Sequence, residues 1–388
     1  MRLAKRVGGI EESVTLDITS RAKKMAKEGK DVVNFAAGEP DFDTPAHIKQ
    51  AAIKAINEGF TKYTPSSGMP ELREAISRKF KKDNNLDYSP SQIVVSNGAK
   101  HSLYNIFQAI CEEGDDVLIP APYWLSYPAM VSLNQARPVF VKTDQTNNFK
   151  MTEKDLASKI TKKTRCLVLN SPSNPTGSVY DESELKVIAR LAVSNDFFVI
   201  SDEIYERLIY APAKHFSIAS LGKDINELTI TVNGLSKSYS MTGWRIGYAA
   251  GPADIMKAIA NLQSHAASNP ASISQKAALS ALTSDQKCVE EMRAEFEKRR
   301  DYMVSRINGM KNISCIVPDG AFYIFCDIAK TRMNSVKVAN SLLDEAKVAV
   351  IPGEPFGAAS HIRLSFATGM ESIKKGMDRI EEWFSRNG

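Results

Sequence analysis

The sequence predicts an α/β fold in which a mainly parallel sheet is flanked by helices, with a smaller α+β domain built from both termini. Three observations predict it: short apolar runs rich in valine and isoleucine recur, they lack polar–apolar alternation, and helical patterns separate them. Runs that are apolar on both sides are typical of parallel strands covered by helices on both faces. Strands that alternate with helices indicate an α/β protein.

The large domain is expected over residues 46–285. Its predicted strands are, in chain order, QIVVS (92–96), DDVLIP (115–120), RPVFV (137–141), RCLVLN (165–170), FFVIS (197–201), LTITVN (228–233) and RIGYAAG (245–251). Helical patterns are predicted between them over residues 99–111 and 182–195.

The chain changes character from about residue 286. A long charged helix with apolar residues at helical spacing comes first, and it has a glycine near its end. Three strand-like runs (ISCIVP, AFYIFCDI and HIRLSFA) and a closing helix over residues 371–386 follow. Because strands and helices fall in separate blocks, we expect a small α+β domain over residues 286–388. Residues 1–45 are expected to join it or to reach across to a partner chain.

Composition excludes several classes of protein. The 388 residues include 50 Lys+Arg and 45 Asp+Glu, and 43% are hydrophobic, which excludes a disordered chain. A net charge of +5 without a basic block is too weak for a nucleic-acid-binding surface. No apolar run approaches the roughly 18 residues of a membrane span, and the N-terminus does not resemble a signal peptide. We therefore expect a cytoplasmic protein.

Cysteine and histidine spacing gives no indication of disulfides or metal. The five cysteines are odd in number and form no C-x-x-C pair, so reduced, mostly buried thiols are expected. The five histidines lack the spacing of a zinc site, and no metal ligand is predicted.

Ligands of an open parallel sheet bind beyond the carboxyl ends of its strands, so the residues after each predicted strand are candidates. Residues 97–100 (NGAK) open a helix, where small residues let backbone N–H groups approach an anion, although short turns use glycine for steric reasons as often. Trp124 either stacks on a flat ring or caps the core. Asn174, in a proline-rich turn, offers a fixed amide.

Charged residues follow the next two strands. Asp202 ends a buried strand, where it would need a cationic or hydrogen-bonding partner such as the pyridinium N–H of pyridoxal phosphate. The alternative is that Asp202 caps a following helix. Lys237 follows a buried strand among small hydroxyl residues, where a lowered pKa would make it a nucleophile and base. Arg245 offers a planar cation suited to phosphate.

Arg363 interrupts the apolar strand HIRLSFA of the second domain. A buried arginine requires a carboxylate partner. Either an internal salt bridge or a substrate carboxylate would serve, and the sequence alone does not decide between them.

Four motifs, taken in order, resemble the pyridoxal-phosphate-dependent aminotransferases of the aspartate aminotransferase superfamily (class I/II), and the bacterial and archaeal aspartate aminotransferase type most closely. They are AGEPDFDTP (37–45), NPTG (174–177), SDEIY (201–205) and SKSYSMTGWRIGY (236–248). The resemblance extends from near the N-terminus to the final helix. It implies the fold of pyridoxal-phosphate-dependent transferases and a homodimer with a shared active site.

The resemblance also implies residue roles. Lys237 would carry the cofactor and act as the base, Asp202 would keep the pyridine nitrogen protonated, and Tyr205 with Asn174 would hydrogen-bond the phenolate oxygen. Trp124 would stack on the ring. The cofactor phosphate would lie against Ala99, Lys100 and Arg245, with Tyr63 reaching in from the neighbouring subunit. The residues implied for the substrate α-carboxylate are Gly38, Trp124, Asn174 and Arg363.

Two positions depart from the family pattern. Gly234 stands where many relatives carry a phosphate-binding serine, which leaves Ser236 or Ser238 as a candidate replacement. Relatives that also use prephenate tend to carry a basic residue after KRV, whereas residues 8–12 read GGIEE here. Because an acidic residue would repel a second carboxylate, prephenate is the less expected substrate.

Lys100 determines the predicted substrate. Relatives of the bacterial type resemble this chain in having lysine there, where it reaches the distal carboxylate of aspartate or glutamate. The predicted reaction converts L-aspartate and 2-oxoglutarate into oxaloacetate and L-glutamate. If Lys100 contacts only phosphate or solvent, an aromatic or prephenate aminotransferase is the alternative. A lyase on the same fold is a further possibility. The complete set of Lys237, Asp202 and Arg245 argues against a non-catalytic ligand-sensing domain.

Overall fold

The computed structural model describes residue 4, residues 6–8 and residues 14–387. Residues 9–12, and with them the acidic residues considered for prephenate, lie outside the described part of the chain. The strands are β1 (Val33–Asn34), β2 (Ile93–Ser96), β3 (Asp116–Ala121), β4 (Arg137–Lys142), β5 (Thr164–Asn170), β6 (Phe198–Asp202), β7 (Thr229–Gly234), β8 (Gly247–Ala250), β9 (Ser314–Cys315), β10 (Tyr323–Asp327), β11 (Val348–Ala349), β12 (Ile351–Pro352) and β13 (His361–Ser365).

The α-helices occupy most of the chain between these strands. They are α1 (Val14–Lys27), α2 (Ala46–Asn57), α3 (Pro70–Asn84), α4 (Ala99–Ile110), α5 (Ser126–Leu133), α6 (Glu153–Ala157), α7 (Glu182–Asn195), α8 (Lys223–Glu227), α9 (Ala253–Ala266), α10 (Ser272–Thr283), α11 (Lys287–Asn308), α12 (Ser335–Asp344) and α13 (Met370–Asn387). Within residues 14–387, none of the helices has the length and apolar character that a membrane span requires.

A seven-stranded sheet forms the centre of the large domain, in the order β2-β8-β7-β6-β5-β3-β4. The pairs from β7 to β4 are parallel, and β8 is antiparallel to both of its neighbours. All seven strands coincide with predicted runs, and the prediction of a mainly parallel sheet is confirmed. The carboxyl ends of β2, β3, β5, β6 and β7 therefore lie along one edge.

The two faces of this sheet are both covered, which explains the absence of alternation in the sequence. On β3, Val117 and Ile119 belong to an apolar cluster with Leu103 of α4 and Ile259 of α9. Leu118, which points to the opposite face, belongs to a separate cluster with residues of α7. Successive residues of a strand face opposite sides, so a strand with helices on both sides is apolar throughout.

The C-terminal part of the chain builds a four-stranded antiparallel sheet in the order β12-β13-β10-β9. Strand β1 of the N-terminal segment pairs in parallel with β11, and Phe35 is buried in the same apolar cluster as Trp383 of α13. Within the described residues, the N-terminal segment thus packs on the small domain through β1 and Phe35. The domain boundaries at residues 46 and 286 stay a prediction.

Candidate active site

A cavity of about 570 Å³ opens at the carboxyl edge of the large sheet, between this sheet and the small one. Asn170 and Asp202 reach it from the ends of β5 and β6, and α4 contributes its first turn. The small sheet contributes Tyr323 of β10 and Arg363 of β13. The position agrees with the rule that ligands of parallel sheets bind beyond the strand ends.

Nearly all the site residues expected from the sequence line this one cavity. They are Gly38, Ala99, Lys100, Trp124, Asn174, Asp202, Tyr205, Ser236, Lys237, Arg245 and Arg363. Tyr63 does not line it, and its side chain is 91% exposed. An exposed aromatic side chain that does not line the cavity of its own chain is compatible with the expectation that it reaches a neighbouring subunit.

Lys237 lies in the turn that follows β7. Its Nζ donates a hydrogen bond of 2.6 Å to the carbonyl oxygen of Gly38 and lies 5.8 Å from the ring centroid of Tyr205. Removal from water lowers the pKa of Lys237 to about 8, and the nearby guanidinium groups of Arg363 and Arg245 act in the same direction. A substantial fraction of this amine is therefore neutral, and nucleophilic, near pH 8.

Asp202 ends β6 with its carboxylate buried. Tyr127 donates a hydrogen bond of 2.6 Å to Oδ2, and the backbone N–H of Ile204 donates one of 3.3 Å to Oδ1. Burial raises the pKa of Asp202 to about 6 although both hydrogen bonds oppose it. A turn follows instead of a helix, so the helix-cap alternative is wrong. No lysine, arginine or histidine among the described residues forms a salt bridge with this carboxylate.

Arg363 is buried on β13, and its guanidinium faces the cavity. Its Nη1 donates a hydrogen bond of 2.9 Å to Oδ1 of Asn174, and Nη2 donates one of 3.2 Å to the carbonyl oxygen of Ala36. Its Nε is buried without a hydrogen-bond partner in the described part of the chain. Among the described side chains of residues 18–387, no carboxylate pairs with it, so the internal salt bridge considered from the sequence is absent there.

The start of α4 forms a second cationic region. Gly98 precedes the helix with φ = +87°, and a Cβ at this position would lie 2.3 Å from Nη2 of Arg245. Only glycine lets the guanidinium lie against the helix N-terminus, where backbone N–H groups favour an anion. Nη1 of Arg245 is held by the carbonyl oxygen of Thr242 at 2.7 Å.

Lys100 lies beside this region, with its Nζ 4.8 Å from the ring centroid of Trp124. Partial burial lowers the pKa of Lys100, and the charge of Arg245 adds to the effect. Among the described residues, no carboxylate forms a salt bridge with Lys100. The ammonium group is therefore available to an acidic ligand in the cavity.

The environment of Gly234 explains the first departure from the family pattern. A Cβ at this position would lie 3.1 Å from Cα of Gly247 and 3.1 Å from Cδ1 of Ile204. A serine would therefore be crowded between β8 and the turn after β6. Ser236 lines the cavity, whereas Ser238 is buried away from it. Ser236 is accordingly the better candidate for a replacement hydroxyl.

The cavity residues that were not predicted from the sequence include Tyr127, Asn170 and Tyr323. Tyr127 binds Asp202, and Asn170 accepts a hydrogen bond of 2.8 Å from the backbone N–H of Asn174. The hydroxyl of Tyr323 lies 2.9 Å from that of Tyr205. Asn170 ends a predicted strand, a signal that could have indicated it. Tyr323 stands in an apolar run that is typical of core.

Comparison with known proteins gives matches over nearly the whole chain. The family model described as aminotransferase class I and II matches residues 30–380. The protein named aspartate aminotransferase of Geobacillus stearothermophilus is 48% identical over 99% of both chains. A probable aspartate/prephenate aminotransferase of Aquifex aeolicus is 48% identical over 98% of both chains. The crystal structure of an aspartate aminotransferase from Rhizobium meliloti superposes with a TM-score of 0.96 and 40% identity over both full chains.

Proposed function

As a member of the aminotransferase class I and II family, this chain is a transaminase, and we propose that it is a pyridoxal-phosphate-dependent aspartate aminotransferase. It transfers the amino group of L-aspartate to 2-oxoglutarate, which gives oxaloacetate and L-glutamate in a ping-pong reaction. Full-length similarity to proteins named aspartate aminotransferase supports this substrate pair.

One observation carries the proposal. The cavity that contains Lys237 also contains Arg363 and Lys100, two cations that no carboxylate of the described residues neutralises. A dicarboxylic amino acid can neutralise both, with its α-carboxylate at Arg363 and its distal carboxylate at Lys100. Charge pairing in a partly dry pocket favours such a substrate over a monocarboxylic one. The cavity of about 570 Å³ is of the size usual for small-molecule sites.

The cavity residues fit pyridoxal phosphate, on which the family depends. The buried carboxylate of Asp202 lacks a cationic partner, and a pyridinium N–H would supply one. The N-terminus of α4 and Arg245 suit a phosphate. The hydroxyl of Tyr205 and the amide of Asn174 suit the phenolate oxygen. Trp124 supplies an aromatic face at the cavity wall.

Each of these residues has a different role in the reaction. When bound, pyridoxal phosphate accepts the electron pair released at the substrate α-carbon and carries the amino group between donor and acceptor. Lys237 would hold the cofactor through Nζ, and once the substrate amine had replaced it there, its freed amine would take the proton from the α-carbon, a role that its lowered pKa of about 8 permits. Asp202 retains the proton at the pyridine nitrogen. Arg363 and Asn174 orient the substrate through its α-carboxylate.

A homodimer with a shared active site is part of the proposal. Tyr63 is 91% exposed and lies outside the cavity of its own chain. The nearby helix α2 also exposes Ile53 and Ile56 by about half. Contiguous exposed apolar surface is typical of an interface. In the dimer, Tyr63 would reach the phosphate region of the neighbouring subunit.

The test is a half-reaction. The protein loaded with pyridoxal phosphate is mixed with L-aspartate in the absence of any oxo acid, and the visible absorption is followed. We expect loss of the visible band with an equal amount of oxaloacetate, and Lys237→Ala should lose this reaction. A band that responds to phenylalanine or alanine but not to aspartate would contradict the substrate. Release of ammonia with return of the band would indicate a lyase.

A further inference from the structure

A pair of tyrosine hydroxyl groups joins the two sheets at the cavity. Tyr323 begins β10 of the small sheet, where it pairs with Ser365 of β13, and its side chain is buried. Its Oη lies 2.9 Å from Oη of Tyr205, which stands in the turn after β6 of the large sheet. Both residues line the cavity. The contact is therefore placed between the proposed cofactor and substrate regions.

The direction of this bond depends on where Tyr205 places its own hydrogen. Each hydroxyl has one hydrogen, and the two oxygens share a single hydrogen bond, so only one of them donates within the pair. If Tyr205 donates its own hydrogen to the phenolate oxygen of the cofactor, the hydrogen between the tyrosines must come from Tyr323. We propose that Tyr323 is a positioning residue of the transaminase, whose hydroxyl donates to Tyr205 and strengthens the bond from Tyr205 to the cofactor. The inference rests on the proposed function.

Arg363 assists Tyr323 in this role. Its guanidinium carbon lies 4.3 Å from the centroid of the Tyr323 ring. A cation on the ring face fixes the ring orientation and makes the phenol a stronger hydrogen-bond donor. A hydroxyl that accepts a strong hydrogen bond is polarised into a better donor itself. The arrangement therefore directs hydrogen-bond donation from Tyr323 through Tyr205 into the cavity.

This role has a spectroscopic consequence. Hydrogen bonds to the phenolate oxygen would stabilise its negative charge and would therefore lower the pKa of the cofactor held by Lys237. The visible absorption of bound pyridoxal phosphate changes when it loses its proton. Removal of the Tyr323 hydroxyl should therefore raise the pH midpoint of the absorption change. A residue that only fills space would not move this midpoint.

Tyr210 provides a matched control. It is also fully buried, and the guanidinium carbon of Arg300 lies 4.6 Å from its ring centroid. Its hydroxyl donates a hydrogen bond to the carbonyl oxygen of Ala321, and the residue does not line the cavity. Tyr210→Phe thus removes the same atom from a similar environment without touching Tyr205.

The experiment titrates the visible absorption of the loaded protein with pH. Tyr323→Phe should raise the midpoint by roughly half a pH unit, since an ordinary hydrogen bond is worth about one pKa unit and only part of it reaches the cofactor. Tyr210→Phe should leave the midpoint unchanged. In a Tyr205→Phe background, Tyr323→Phe should add no further shift. An unchanged midpoint in Tyr323→Phe, an equal shift in Tyr210→Phe, or a shift that persists without the Tyr205 hydroxyl would each overturn the inference.

A second replacement keeps the test decisive if Tyr323→Phe does not fold. Incorporation of 3-fluorotyrosine at residue 323 retains the ring and the hydroxyl but makes the hydroxyl a stronger donor. The midpoint should then fall below that of the unmodified protein, and a rise would contradict the proposed direction of donation. Absence of any visible band in the unmodified protein would instead refute the proposed cofactor, so the two failures are distinguishable.

Discussion

The hydroxyl of Tyr127 donates a hydrogen bond of 2.6 Å to Oδ2 of Asp202, and both side chains are buried beneath the cavity. This bond and the N–H of Ile204 are the neutral donors that hold the carboxylate. The pKa of Asp202 nevertheless remains raised to about 6. The two hydrogen bonds therefore do not offset the free-energy cost of removing the ionised carboxylate from water. The ionised carboxylate therefore costs folding free energy until a cationic ligand meets it.

The first prediction is that Asp202→Asn stabilises the cofactor-free protein at neutral pH while it weakens pyridoxal phosphate binding. The native pKa of about 6 lies above the ordinary value of 3.8, so the native state binds the proton more tightly. The cost of ionisation is consequently absent below pH 3.8, grows as the pH rises to 6, and is complete above it. We expect a gain of about 3 kcal/mol in the free energy of unfolding above pH 6. Denaturant unfolding at several pH values measures it, and a gain that did not depend on pH would contradict it.

The second prediction concerns Arg363. Arg363→Ala should lower kcat/KM for aspartate, glutamate and phenylalanine by similar factors, because all three present the same α-carboxylate to the guanidinium. Loss of a buried charged partner is worth about 2–5 kcal/mol, or roughly 30- to several thousand-fold. Steady-state kinetics with each donor measures it. A loss confined to the dicarboxylic donors would assign Arg363 to the distal carboxylate.

The third prediction separates Lys100 from Arg363. Lys100→Met keeps most of the length of the side chain but removes the ammonium group that lies over the ring of Trp124. We expect kcat/KM to fall at least tenfold for aspartate and glutamate, since about 1.4 kcal/mol corresponds to a factor of ten. Alanine and phenylalanine should react as before. An equal loss for all donors, with weaker binding of pyridoxal phosphate, would assign Lys100 to the phosphate.

Much of the large domain could be predicted from the sequence, because its core strands are covered on both sides. Helix α7 begins and ends where the pattern placed it, at residues 182 and 195. Strands β1, β11 and β12 were not predicted, since two residues carry no measurable period and depend on tertiary pairing. The apolar pattern of the sequence therefore predicts the helix-covered strands of the large sheet, but it does not predict strands of two residues.

The candidate site could likewise be predicted in part from the sequence. Residues that follow strands, such as Lys237 and Asp202, were found because the strand ends converge at one edge. Tyr127 and Tyr323 were not found, because their partners are distant in sequence: Tyr323 and Tyr205 are 118 residues apart. A tyrosine in an apolar run cannot be distinguished by sequence from an ordinary core residue. Only the fold shows which group its hydroxyl contacts.

The fourth prediction concerns Gly234. Gly234→Ser would restore the hydroxyl that many family members carry, but its Cβ would lie 3.1 Å from Cα of Gly247. Overpacking of this kind costs about 1–3 kcal/mol. We expect a lower free energy of unfolding and no tighter binding of pyridoxal phosphate, measured by denaturant unfolding and by cofactor titration. Tighter binding without destabilisation would show that β8 yields to the side chain.

A buried ion pair supports the turn that carries Tyr205. Nζ of Lys79 on α3 forms a salt bridge with Oε1 of Glu206, and it also donates a hydrogen bond of 2.6 Å to Oδ1 of Asn84. The amide of Asn84 donates in turn to Oε2 of Glu206 at 2.7 Å. Burial alone would raise the pKa of Glu206, but the charges of Lys79 and His215 outweigh it and lower the pKa to about 2.

The fifth prediction is that Lys79→Met lowers the free energy of unfolding by about 3–5 kcal/mol at neutral pH, because it leaves the buried Glu206 without its ammonium partner. Lys79→Met combined with Glu206→Leu should recover most of this loss, since an apolar pair can replace a buried ion pair.

The depressed pKa of Glu206 contributes stability that is complete above pH 4.5 and is lost as the pH falls toward 2, so this acid-induced loss should shrink in Lys79→Met. Lys54→Met, which breaks the exposed pair with Glu58, serves as the control and should change little. Denaturant unfolding at pH 7 and pH 3 measures these differences, and equal effects of Lys79→Met and Lys54→Met would mean that the buried pair does not stabilise the turn.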